Sequence, residues 1–123
     1  ILKKADSINV NYRYLTSDDI GKVILFNGQG SNELHIPDTG AVDWPLFATV
    51  TIINRSGNPV YVYKYNNNEN GTIYGAGTSD SYNSWIVPDN GGGNIVTLMK
   101  IETGMNNFFN DWMISGSNLV INN

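Results

Sequence analysis

The residues with the strongest claim on chemistry in this 123-residue chain are the single histidine, His35, and the adjacent carboxylates Asp18 and Asp19. A Ser/His/Asp triad or a histidine-based metal site would need His35. Its neighbours Leu34 and Ile36 place it on a strand, facing away from them toward solvent, so it reads as an ordinary surface histidine. Paired carboxylates hydrolyse glycosides when they flank one bond, and adjacent residues rarely converge that way. Asp18-Asp19 instead reads as a turn whose side chains bond nearby backbone N–H groups. Neither these residues nor Asp89-Asn90 has the spacing of a calcium loop. Gly91-Gly92-Gly93 lacks the spacing of a phosphate loop and reads as a hairpin connection. The chain has no cysteine, which excludes disulfides and thiolate-held metals. No catalytic residue, metal or cofactor is nominated, and the expectation is a protein that is not an enzyme.

The aromatic residues are more informative. Tyr61, Tyr63 and Tyr65 alternate along one strand face, opposite Val60, Val62 and Lys64. Such a stripe serves cross-strand packing, a subunit interface or the stacking of sugars. Together with Leu119 and Ile121 it supplies the candidate subunit contacts. Tyr74, Tyr82 and Trp85 flank or fall in the Asn/Gly/Ser-rich segment 66–84, and they are the candidate ligand contacts, with a host-surface glycan as the ligand. Charged residues are only 15% of the chain, against about 25% in ordinary domains, so surface polarity comes from amides and hydroxyls. A net charge of −4 with scattered basic residues argues against nucleic acid as a partner. No stretch approaches the roughly 20 apolar residues of a membrane-spanning helix, so no membrane insertion is expected.

The elements that must position these residues are strands. Ile8 to Tyr14 alternates with a period of two, and Thr16 or Ser17 caps a single helical turn that Gly21 ends. Val23–Phe26 is continuously apolar, as a strand covered on both faces would be. Further strands are read at 33–36, 48–54, 60–65, 84–87, 95–101, 111–115 and 119–121, with turn chemistry between them. Ser56-Gly57-Asn58-Pro59 is a turn of hairpin length. The segment 66–84 reads as irregular. The fold class is therefore all-β: one domain over 1–123, a sandwich or barrel-like body of about eight to ten short strands with long Asn/Gly-rich loops. Residues 1–7 read as an extended N-terminal arm.

A series of short motifs follows one order along the chain. Tyr14, Asp19, Gly21 and Lys22 precede the strand to Asn27; then come Ile36-Pro37, Trp44-Pro45, Thr49 to Asn54 and Ser56-Gly57. Thr97-Leu98-Met99-Lys100 and Trp112-x-Ile114-Ser115-Gly116 close the series. This order resembles small all-β domains of tailed-bacteriophage virion proteins, over about Tyr12 to Gly116. The resemblance implies a structural domain of a tail fibre or other appendage, located on the virion, assembled as a homotrimer with other virion proteins and displaying loops for host attachment. It carries no catalytic residue. Two alternatives stand beside it: a capsid decoration or head-fibre protein on the phage shell, and a monomeric carbohydrate-binding module.

Overall fold

Period-two alternation gives each strand one apolar face, and two sheets close over those faces. The computed structural model describes residues 6–8, 12–28, 30, 32–36, 45–64, 73–79, 81–82, 84–89, 91–102 and 111–122. Its strands are β1 (Asp6–Ile8), β2 (Tyr12–Tyr14), β3 (Val23–Phe26), β4 (Asn32–Ile36), β5 (Thr49–Asn54), β6 (Val60–Lys64), β7 (Ile73–Gly75), β8 (Ser81–Tyr82), β9 (Ser84–Val87), β10 (Asn94–Glu102), β11 (Asp111–Gly116) and β12 (Val120–Ile121). A seven-stranded sheet runs β1-β3-β5-β10-β11-β7-β8, and a five-stranded sheet runs β12-β9-β6-β4-β2. The fold is a β-sandwich. Among the described residues the expected eight to ten strands are twelve, because several, such as β8 and β12, are only two residues long.

The first six strands alternate between the sheets. β1, β3 and β5 lie parallel in one, and β2, β4 and β6 lie parallel in the other. Parallel neighbours need a crossover, and here each crossover is a strand of the opposite sheet. The stretch from Ile8 to Tyr14, read as one strand, is thus two strands in different sheets. Asp6 and Ser7, assigned to the arm, pair with Ile24 and Leu25. The C-terminal half then closes both sheets with antiparallel strands: β9 on β6, β10 on β5, and β11 on β10.

Ser56–Pro59 and Gly91–Gly93 are therefore not hairpins. Each lies on a link from one sheet to the other, β5 to β6 and β9 to β10. Turn chemistry reports the reversal of the chain, and the sheet that receives the next strand is a tertiary choice. The segment 66–84 holds two further strands, β7 and β8, because Ile73 to Gly75 adds to β11 in parallel. Residues 37–44, 65–72 and 103–110, which include Tyr65 and Trp44, lie outside the described residues.

One apolar cluster fills the space between the sheets. Ile24, Phe26, Val50, Ile52, Leu98, Trp112 and Ile114 come from the seven-stranded sheet, and Leu34, Ile36, Val60, Val62, Trp85 and Val87 from the five-stranded one. On β3 only Ile24 and Phe26 are fully buried; Val23 and Leu25 are half-buried on the outer face. The continuous apolar run thus has one core face and one partly open face.

Parallel β2, β4 and β6 all enter at one end of the sandwich and leave at the other. Among the described residues, 27–28, 55–59, 88–89 and 91–93 lie at the first end, and 15–22 and 45–48 at the second. The first is the turn end and the second the loop end.

Candidate functional site

Strand register places one set of aromatic side chains on the open face of the five-stranded sheet. Leu34 and Ile36 point into the core, so Glu33 and His35 point out. Val60 and Val62 point in, so Tyr61 and Tyr63 point out. Tyr14 lies opposite His35, and His35 lies opposite Tyr63. The result is a ridge across β2, β4 and β6. The His35 ring is near-parallel to Tyr12 at 4.6 Å and 15°, and to Tyr63 at 5.2 Å and 24°. Tyr14 approaches His35 at 5.1 Å, and Tyr61 and Tyr63 lie 6.3 Å apart along β6.

His35 does face away from its apolar neighbours, as its position on the strand predicts. It is nevertheless only 8% exposed, because tyrosines cover it on both sides. The expectation of a solvent-exposed histidine fails for that reason. Its Nε2 lies 2.9 Å from Glu33 Oε1, and its buried Nδ1 has no hydrogen-bond partner among the described residues. Tyr12 and Tyr14, at the edge strand, remain 47% and 51% exposed. A hydrogen bond with the Tyr14 hydroxyl, followed by desolvation and nearby acidic groups, raises the Tyr12 phenol above the usual tyrosine range. The ridge is uncharged apart from the Glu33–His35 pair and is rimmed with tyrosine hydroxyls.

The other candidate residues separate. Trp85 is buried in the core, where its Nε1 donates to the Ile73 carbonyl at 3.0 Å. Its ring is not an open stacking surface, since Trp85 lies on the inward face of β9. Tyr74 and Tyr82 are exposed, but Tyr82 pairs with Ile73 and Tyr74 with Ser81. Directly paired residues share a face, so these two tyrosines project to opposite sides of their ribbon. They do not form one site with Trp85. Leu119 and Ile121 pack against the core, and Ile121 lies opposite Trp85. They therefore share no face with Tyr61 and Tyr63, and the expected joint contact surface is not assembled by one copy of the chain. Tyr65 lies outside the described residues. An open cleft of about 450 Å³ between the sheet margins touches Trp85, Leu119 and Ile121. Two of its polar groups are already engaged: Trp85 Nε1 by Ile73, and Thr78 Oγ1 by the Gly75 carbonyl at 2.9 Å.

Sequence reasoning missed Tyr12, Tyr14 and the packing of His35. The available signal was that Tyr12/Tyr14 and Tyr61/Tyr63 share a period of two. Nothing in the sequence says that β4 lies between their strands.

Asp18 and Asp19 part company too. Asp18 is exposed, whereas Asp19 is fully buried. Asp19 accepts from Arg13 Nη2 at 2.6 Å and from the Thr16 backbone N–H at 2.8 Å, with Lys22 Nζ at 3.3 Å. It closes the turn from β2 to β3, in keeping with the turn reading. Asn54 forms a second hub at the opposite end. Its Nδ2 donates to the Asn58 and Val87 carbonyls, each at 2.8 Å, and its Oδ1 accepts from Ser56 N–H and Oγ.

No group of three or more His, Asp or Glu side chains suited to a metal occurs among the described residues. No described helix is long and apolar enough to cross a membrane. Comparison with protein-family models, curated proteins and solved structures finds no match to this chain.

Proposed function

We propose that this chain is a non-catalytic structural domain on the surface of a tailed-phage particle, in a tail fibre or similar appendage, that assembles as a trimer and displays its loop end and outer faces for host attachment. The observation that supports this reading is what the resemblance residues do. Asp19 is the buried hub that binds Arg13, Lys22 and Thr16. Gly21 takes a φ of 75°, which favours glycine. Asn54 links the turn after β5 to β9. Trp112 is fully buried, and a Cβ on Gly116 would collide with the Val96 side chain. These residues hold a frame, and none is left over for chemistry. A frame braced in this way, with its outer faces left open, suits a display domain.

Antibody labelling of intact particles tests the reading. Gold at the tail is the expected result. Gold confined to the capsid favours the decoration alternative, and particles without label overturn both. The tyrosine ridge favours the third reading, a monomeric sugar-binding module. Light scattering separates that one from a trimer.

A further inference from the structure

We infer that the ridge formed by Tyr12, Tyr14, His35, Tyr61 and Tyr63 is a binding surface for a neutral polysaccharide chain. The inference rests on the attachment reading and names the chemistry of what is attached.

Size is the first argument. The ridge is three strands wide and two same-face residues long. With strands about 4.8 Å apart and same-face residues about 6.8 Å apart, it covers on the order of 100 to 200 Å². A stable protein interface takes about 800 Å² from each partner. The ridge is too small for a protein to dock on by itself, and it is large enough for a few sugar rings.

Shape and chemistry give the second argument. The rings stand on the open side of a sheet and not in a pocket, so the ligand lies along the surface. Tyr12 and Tyr14 keep about half of their surface open at the edge strand, while His35 supports them from behind. A sugar offers an apolar C–H face to such a ring and a rim of hydroxyls to the tyrosine hydroxyls and Glu33. Stacked tyrosines lose little freedom on binding, which favours a weak, extended ligand.

Charge excludes the main rivals. The net charge is −4, and the charged member of the ridge is the Glu33 carboxylate beside His35. Phosphate-rich or acidic polymers are repelled, since they need clustered Lys and Arg.

The test is native gel electrophoresis of the whole chain through gels cast with a glucan, a mannan, a galactan or glycol chitin. Expected is retardation by at least one of the four that persists at roughly 1 M salt, where the Debye length is about 3 Å. Tyr12→Ala and Tyr14→Ala should each weaken it about tenfold, the order of one lost aromatic contact. Ile95→Ser, on the outer face of the other sheet, should leave it unchanged. Thermal melts check that the variants fold, and Tyr14→Phe supplies a milder change that keeps the ring. No retardation by any polymer overturns the inference, as does retardation that salt abolishes or that both alanine variants retain. So does a dimer in sedimentation that Tyr14→Ala dissociates, which would assign the ridge to a second copy. Particle labelling is independent. A chain found on particles that ignores all four polymers sinks this inference alone, and one that binds a polymer but is absent from particles sinks the virion reading alone.

Discussion

The two ends of the sandwich are fastened by different chemistry. At the turn end the fastener is a neutral amide. Asn54 joins the 55–59 turn to Val87 of β9, and Asp89 reaches from the neighbouring link to the Gly57 and Gly93 N–H groups at 2.6 and 2.8 Å. At the loop end the fastener is a buried carboxylate, Asp19, set between Arg13 and Lys22. The amide takes one acceptor from its own turn, Asn58, and another from Val87, 33 residues away in the other sheet. The carboxylate finds Arg13, Thr16 and Lys22 within six residues along the chain. The loop-end fastener is therefore local in sequence, and the turn-end fastener depends on the sheets having met. The difference also reaches the outer surface. Arg13 lies between Tyr12 and Tyr14 on β2, so the ion pair behind the edge strand braces the tyrosines in front of it.

The largest expected effect breaks the loop end. Asp19→Ala removes the buried acceptor shared by Arg13, Lys22 and the Thr16 N–H and should cost about 3 to 5 kcal/mol, read from urea unfolding. It should also loosen β2. In the intact chain the Tyr12 phenol ionises above the ordinary tyrosine range. A raised folded pKa means this group's share of stability is complete below the ordinary phenol range and is lost as pH climbs through the higher value. In Asp19→Ala that phenol should titrate closer to a free tyrosine by ultraviolet absorbance. An unchanged titration would show that β4 pairing alone holds the ridge.

Asn54→Ala comes next, at about 2 to 4 kcal/mol, because it strands the Val87 and Asn58 carbonyls and the Ser56 groups. The Tyr12 titration should not move in this variant, since the amide is at the other end. A shift there would erase the distinction between the ends. Asp89→Ala should cost about 1 to 2 kcal/mol by the same unfolding measurement, as the Gly57 and Gly93 donors lose a charged acceptor.

The smallest effect has the opposite sign. Phe47, before β5 at the loop end, holds a φ of 68° and is 66% exposed. Phe47→Gly removes that strain and little buried contact. It should raise the melting midpoint slightly, by an amount worth about 1 kcal/mol or less. A lowered midpoint would mean that the exposed ring packs on something in solution.

Much of the fold was legible in short-range pattern. The runs at Thr49 to Asn54 and Val60 to Lys64 alternate as half-buried strands do, and both are strands with the expected inward residues. Asp19 as a turn residue was legible because it lies three residues after Thr16 and just before Gly21. Its burial was not, because Arg13 could have pointed to either side until the register of β2 was set. Trp85 illustrates the same limit from the candidate site. Its loop neighbours suggested an open ring, yet its inward position on β9 gives it to the core.

The sequence by itself determined that this chain forms short strands, where most of them begin and end, and which side chains share a strand face, since a period of two is a local property of extended backbone. Tertiary structure alone decided that successive strands go to opposite sheets, that β4 separates β2 from β6, and that His35 is enclosed between tyrosines from strands remote in sequence. Those outcomes depend on burying both apolar faces in one core, and that requirement can be met only when distant segments are brought together.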